Sequence, residues 1–162
     1  MSITSRAGFV VALAMLMTQG AGAQERTYPG AMCVEVQNGK PLDQRQKVSR
    51  NSEGELYNLS PSHVLEVVCP VSGLFDDDSG GAANVFVHDR NTTQDVCCSS
   101  RLNNVGAVLS SDQVCSTGID ERNQSLVMAP PAFPFTFTSR YFNCTIPPTD
   151  NGEASGIRLY RY

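Results

Sequence analysis

Short apolar runs, separated by clusters of Gly, Pro, Asn, Asp and Ser, recur through this sequence from residue 31 onwards. In several runs the residues alternate in character, as in 133–138, where three phenylalanines are interleaved with Pro and Thr. Alternation with a period of two is typical of β-strands, and a spacing of about 8 to 12 residues between runs is typical of sandwiches and barrels. This pattern leaves little room for a helical fold.

The predicted fold is therefore all-β: a single antiparallel β-sandwich, Ig-like or jelly-roll-like, over residues 31–162. No amphipathic helical repeat occurs after the N-terminal region, and five prolines between residues 130 and 148 exclude long helices there. We expect strands at 31–36, 46–50, 56–58, 63–69, 84–89, 94–102, 107–115, 125–128, 133–138, 140–145 and 156–160.

The N-terminus has the layout of a signal peptide. Arg6 precedes an apolar run over 8–17, and the small residues 20–23 are followed by polar ones. The run is too short to cross a bilayer, which takes about 20 residues, so a cleaved signal over 1–23 is favoured over an uncleaved anchor. A flexible lead-in over 24–30 is expected next. The rest of the chain is expected to contain no membrane span, and the product to be secreted or periplasmic.

Six cysteines follow the predicted cleavage site, and an even number behind an export signal indicates disulfide bonds. A zinc site is the alternative, but no pair has the spacing C-x-x-C. Folding 94–102 and 107–117 into a hairpin around 103–106 sets Cys97 about opposite Cys115, which predicts the first bridge. Among the pairings open to the other four cysteines, the apolar strand patterns favour Cys98 with Cys144 and Cys33 with Cys69.

Four segments together resemble a pattern found in small secreted bacterial β-domain proteins, which are mostly uncharacterised. They are VVCP at 67–70, VFVHDRN at 85–91, VCC at 96–98 and CTIPP at 144–148. The similarity covers about 55–162, and it implies a bacterial source and a β-rich secreted module without a transferable activity. The doubled cysteine and Cys115 depart from the commoner arrangement. The resemblance also argues against glycosylation at the four N-x-[ST] sequences, which begin at Asn58, Asn91, Asn123 and Asn143.

No motif of a known catalytic class occurs. His88 and Asp89 could form a triad only with one of several serines, namely Ser99, Ser100, Ser110 or Ser111. A Gly-x-Ser-x-Gly elbow is absent from the sequence, so His88 is better interpreted as a surface residue of a strand. The acidic pair Asp120 and Glu121 likewise cannot be distinguished from surface charge, although a pair of carboxylates could hydrolyse glycosides. We therefore assign no catalytic residue.

Two further groups are candidates for binding. The carboxylates of Asp76, Asp77 and Asp78, followed by Ser and two glycines, could hold calcium, although the spacing is not that of an EF-hand and a solvated turn is favoured. Calcium is accordingly the one cofactor considered. Tyr141, Tyr160 and Tyr162 are predicted to face outward, where their rings could bind a glycan, while tryptophan, the strongest platform for sugars, is missing from the sequence.

Charge excludes one class of partner. The net charge is −4 and no basic cluster stands out, so nucleic acid is not an expected partner.

The leading hypothesis is a non-enzymatic secreted or periplasmic module, which is either structural or binds an unknown protein or glycan. The alternatives are a small secreted hydrolase that uses His88 or a carboxylate pair, and a secreted inhibitor or effector that presents the loop 75–83.

Overall fold

The computed structural model describes residues 26–36, 47–71, 82–104, 107–129, 131 and 139–162. Within these ranges the chain forms twelve strands and one short 3₁₀ turn, at Gly30–Met32. The strands are β1 (Thr27–Pro29), β2 (Val34–Glu35), β3 (Val48–Arg50), β4 (Leu56–Asn58), β5 (Leu65–Val71), β6 (Ala83–Asp89), β7 (Cys97–Asn104), β8 (Ala107–Ser110), β9 (Val114–Cys115), β10 (Asp120–Met128), β11 (Ser139–Ile146) and β12 (Gly156–Arg161).

The strands form two antiparallel sheets. Sheet 1 has the order β10-β6-β12-β4-β3, with β1 also paired to β12. Sheet 2 has the order β2-β5-β11-β7-β8, with β9 also paired to β7. Consecutive strands from β4 to β7 lie in opposite sheets, as do β10, β11 and β12, and this alternation is that of a jelly roll rather than of an Ig domain. The prediction of an all-β sandwich is confirmed.

Inward and outward faces follow from strand alternation. In β6, Val85 and Val87 are fully buried between the sheets, whereas Phe86 and His88 lie on the outer face of sheet 1. One apolar core of buried residues lies between the sheets, with contributions from both. Because His88 and Asp89 are adjacent on the same strand, their side chains point to opposite sides of sheet 1.

Tyr160 of sheet 1 extends across the core. Its ring packs edge-on against Phe142 of sheet 2 with centroids 5.7 Å apart, and its hydroxyl donates to the carbonyl oxygen of Pro70 at 2.7 Å. Tyr28 of β1 stacks on the same ring with centroids 5.2 Å apart. The prediction of a flexible lead-in over 24–30 is therefore wrong for its described part, because burial of Tyr28 fixes Thr27–Pro29 against β12.

All three predicted disulfide bonds are confirmed. They are Cys33–Cys69, Cys97–Cys115 and Cys98–Cys144, which leaves no free cysteine. Each bond joins neighbouring strands of sheet 2: the start of β2 to β5, β7 to β9, and β7 to β11. None joins sheet 1 to sheet 2.

The hairpin that carries Cys97 contains an irregularity that the sequence did not reveal. Strand β7 pairs with β8 in the register Leu102↔Leu109, but its pairing with β9 is displaced by one residue. Between the two, the Ser111 side chain accepts a hydrogen bond from the backbone N–H of Ser100 at 2.9 Å. Without this displacement Val114 would lie opposite Cys97, so the bulge is what places Cys115 there.

Three of the sequence predictions fall wholly on residues outside the described ranges. They are the signal peptide at 1–23, the calcium candidates at 76–78 and the strand at 133–138. Among the residues that the structure describes, no helix has the length and apolar character needed to span a membrane.

Candidate functional site

Three residues in a row on the outer face of sheet 1 form the base of the candidate site. Gly156 of β12 is paired with Tyr57 of β4 on one side and with His88 of β6 on the other. The two rings lean toward each other over the glycine, with centroids 6.1 Å apart and planes within 19° of parallel. A Cβ at Gly156 would lie 2.3 Å from the carbonyl oxygen of Leu56 and 2.7 Å from the Tyr57 ring, so only glycine allows this arrangement.

Glu55, which immediately precedes β4, contacts both Tyr57 and His88 through its carboxylate. It is a buried carboxylate that accepts hydrogen bonds from the Tyr57 hydroxyl at 2.5 Å and from the Arg158 guanidinium. Nε2 of His88 lies 3.6 Å from the same carboxylate. The Asn51 amide also donates to it, at 2.7 Å. With four polar partners, Glu55 is compensated for its burial and acts as the positioning residue of the site.

These contacts set the protonation states of the site. Burial raises the pKa of Glu55, but hydrogen bonds from Tyr57, Asn51 and Arg158 outweigh this, so the pKa lies below its ordinary value of 4.5. Burial, together with the Glu55 charge, raises the pKa of Tyr57. Burial also lowers the pKa of His88, which the nearby Glu55 charge offsets only in part. Near neutral pH the site therefore holds an ionised Glu55, a neutral Tyr57 and a neutral His88.

A cavity of about 340 Å³ opens beside the two rings. Tyr57, His88, Arg90, Glu153 and Ala154 line it. The Arg90 guanidinium pairs with the Glu153 carboxylate at 3.7 Å. Among the described residues that line this cavity, none carries an aliphatic hydroxyl or a thiol.

A tight hairpin turn positions Glu153 at this cavity. Asp150 and Glu153 form an antiparallel bridge, and Asn151 and Gly152 between them both have positive φ, as a type I′ turn requires. The carboxylate of Asp150 accepts a hydrogen bond from the backbone N–H of Thr92 at 2.9 Å. Because this contact fastens the turn to the segment after β6, Glu153 is held opposite Arg90.

The triad considered from the sequence does not form. Asp89 is buried on the core side, where its carboxylate accepts hydrogen bonds from Ser155, Ser116 and the backbone N–H of Asn91. The four candidate serines belong to β7, β8 or the bulge beside them in sheet 2, whereas His88 lies on the outer face of sheet 1. The carboxylate near His88 is Glu55, which sequence proximity did not suggest.

The predicted outward row of tyrosines is also not formed. Tyr141 lies on the outer side of β11, opposite in direction to the buried Phe142, but Tyr160 is fully buried. Tyr162 packs against Phe142 with centroids 5.7 Å apart, under the Arg140 guanidinium. The physical reason is a register shift between Ile157 and Leu159, where an additional residue in β12 reverses the alternation that follows.

The remaining candidates from the sequence are two acidic groups. Asp76, Asp77 and Asp78 lie outside the described residues, so the calcium prediction stays a prediction. Asp120 and Glu121 begin β10, at the edge of sheet 1. Within the described ranges no three His, Cys, Asp or Glu side chains converge as a metal site would require.

Two asparagines that donate to the CTIPP segment of the resemblance have structural roles. The Asn58 amide donates to the carbonyl oxygens of His63, Ile146 and Pro147, and thereby ties β4 to the end of β11. The Asn91 amide similarly donates to Pro148 at 3.0 Å. The amide groups of Asn58 and Asn91 are thus engaged in the fold.

Comparison with known proteins adds little. No protein-family model matches this sequence, and no curated protein matches it either. Among solved structures, a family two carbohydrate esterase from Cellvibrio japonicus is similar, with a TM-score of 0.44 and 10% sequence identity over 85% of this chain and 33% of the esterase chain. This chain thus spans about a third of the esterase's length. At this TM-score the similarity says nothing about activity.

Proposed function

We propose that this protein is an exported, non-catalytic module that binds a glycan at the outer face of sheet 1. The observation that carries the proposal is the cavity beside Tyr57 and His88, which combines aromatic surface with a charged pair on its rim. Binding sites for small molecules typically combine apolar walls with a few fixed polar groups, in volumes of about 300–1,000 Å³. This cavity, at about 340 Å³, suits a ligand no larger than a sugar unit or two.

Export is supported by the three disulfide bonds, which persist in oxidising compartments. The signal-peptide pattern at 1–23 points the same way. We also propose that the chain belongs with the small secreted bacterial proteins that share the VVCP, VxVxDRN and CTIPP pattern. The structural roles of Asp89 and Asn91, which belong to this pattern, support treating it as a signature of the fold.

A hydrolase is less well supported. Glu55 is a poor general acid, because its pKa lies below the ordinary value and its oxygens are engaged by Tyr57 and Arg158. A nucleophile within reach of His88 would be needed for a triad, and the described lining of the cavity offers none. The inhibitor or effector hypothesis depends on the loop 75–83, most of which lies outside the described residues.

The test is a titration of the ¹⁵N-labelled protein with a panel of soluble oligosaccharides, followed by NMR and by product analysis of the same samples. We expect shifts centred on Tyr57, His88 and Arg90, and no new sugar product. Val108→Ala, at an exposed position of sheet 2, is the matched control and should bind as the parent does. Turnover that disappears in His88→Ala would replace this proposal with the hydrolase, and unshifted spectra across the panel would contradict it.

A further inference from the structure

The charges around the cavity are balanced in pairs. On the rim Arg90 faces Glu153, and below the rings Arg158 faces Glu55. His88, between the two pairs, is neutral near neutral pH because its pKa is lowered. Among these described side chains the formal charges cancel, so they give an ion of either sign no net attraction.

A charged ligand would meet an unfavourable partner in this site whichever sign it carried. A carboxylate placed against Arg90 would also approach Glu153, and an ammonium placed against Glu153 would also approach Arg90. An uncharged hydroxyl group avoids this cost, because it both donates and accepts hydrogen bonds.

The rim pair has a spacing that suits two hydroxyl groups. Nη1 of Arg90 lies 3.7 Å from Oε2 of Glu153, and their side chains are 28% and 61% exposed, so both are accessible from solvent. One hydroxyl can accept from Arg90 while its neighbour donates to Glu153. The rings of Tyr57 and His88 supply the apolar surface on which the C–H face of a sugar ring can lie.

From these features we infer that the ligand unit is an uncharged sugar ring, with two neighbouring hydroxyl groups that bind Arg90 and Glu153 and a C–H face that contacts Tyr57. The inference rests on the proposed function, since it specifies what the glycan must be at that site. Uronic acids and amino sugars are the classes that the paired charges reject.

A charge-matched series tests the inference. The methyl glycosides of glucose, galactose and mannose are titrated in parallel with the corresponding uronates and 2-amino sugars, and the dissociation constants are measured by NMR. We expect at least one neutral glycoside to bind, at least tenfold more tightly than its charged counterparts. Arg90→Ala and Glu153→Ala should each weaken that binding at least tenfold, whereas Val108→Ala should leave it unchanged.

The outcomes separate the two proposals. If a uronate or an amino sugar binds more tightly than its neutral counterpart at the same residues, the inference is overturned and the glycan-binding function stands. Binding of the neutral glycoside that is unaffected by both Arg90→Ala and Glu153→Ala would also overturn it. If no sugar in the series or in the oligosaccharide panel shifts any resonance, both proposals fail.

Discussion

At the scale of single residues, Glu55 and Gly156 determine the candidate site. Glu55 is buried, yet its pKa stays below the ordinary value because Tyr57, Asn51 and Arg158 all donate to it. Gly156 provides the space into which the two flanking rings lean. Neither residue lines the cavity, so each acts by placing Tyr57 and His88.

The lowered pKa of His88 predicts how stability depends on pH. Nδ1 of His88 is buried with no hydrogen-bond partner among the described residues, so protonation would bury an unsatisfied N–H group. In the unfolded chain the pKa returns to about 6.5, and the unfolded state therefore binds more protons below that pH. As the pH drops from about 6.5 toward the lower pKa of folded His88, the free energy of unfolding should therefore fall, by up to about 1.4 kcal/mol per pH unit.

His88→Gln isolates this contribution, because glutamine retains a polar group beside Glu55 but does not titrate. Urea unfolding of both proteins at pH 7.5 and 5.5, values on either side of about 6.5, gives the comparison. The parent should lose stability relative to the variant at the lower pH. An equal loss in both proteins would contradict the assignment of a lowered pKa to His88.

Substitution of Gly156 tests the arrangement of the rings. Gly156→Ala places a methyl group against the Leu56 carbonyl and the Tyr57 ring, and we expect a loss of about 3 kcal/mol in unfolding free energy. Gly118→Ala is the control, since Gly118 has a positive φ but no atom within 4 Å of the position that a Cβ would take; it should cost about 1 kcal/mol. Ring resonances of Tyr57 and His88 should move only in the first variant. Unmoved resonances there would mean that the glycine is not what brings the rings together.

At the scale of strands, the sequence predicts the elements well and their irregularities poorly. The hairpin brings Cys115 to within one residue of the position opposite Cys97, and the apolar strand patterns favour the other two disulfide pairings without fixing them. The positions of Tyr160 and Tyr162 could not, because the bulge in β12 leaves no sequence signal and reverses the faces of every residue after it. By contrast, the opposed directions of His88 and Asp89 follow from strand alternation, which alone argues against the triad.

The candidate site was not predictable for a related reason. Glu55, His88 and Arg158 are far apart in sequence, and they meet only because β12 lies between β4 and β6 in sheet 1. A jelly roll sets this order through long connections between sheets, which local patterns do not encode. A buried carboxylate such as Glu55 also has no distinctive sequence context.

The partial exposure of the Cys97–Cys115 bond leads to a prediction about reduction. Cys97 and Cys115 are half-buried, whereas the other two bonds are between fully buried cysteines. A thiol reagent reaches the partly exposed bond without unfolding of the protein, so mild reduction followed by alkylation should label Cys97 and Cys115 first. Mass spectrometry identifies the labelled pair, and the same treatment in denaturant should label every cysteine. Early labelling of Cys98 or Cys33 would contradict this order.

At the scale of the whole molecule, the N-terminal strand completes the core. Tyr28 reaches the buried Tyr160 from β1, and β1 pairs with the last strand through Thr27↔Arg161. Tyr28→Ala should lower the free energy of unfolding by about 3–5 kcal/mol, as expected for a large buried side chain. Tyr141→Ala, which removes an outward ring from β11, should cost about 1 kcal/mol. Chemical denaturation measures both; equal costs would mean that β1 is dispensable.

The restriction of all three disulfides to sheet 2 has a mechanical consequence. A load applied to Arg26 and Tyr162 acts first on β1 and β12, whose antiparallel pairing allows the hydrogen bonds to open one after another like a zipper. Sheet 1 has no covalent cross-link to resist this opening. In sheet 2, by contrast, the chain between two bonded cysteines cannot be stretched out while the disulfide bond is intact. Under tension the protein should therefore unfold in two stages. Sheet 1 and the site on it unfold first, while sheet 2, in which the disulfide bonds limit chain extension, remains folded.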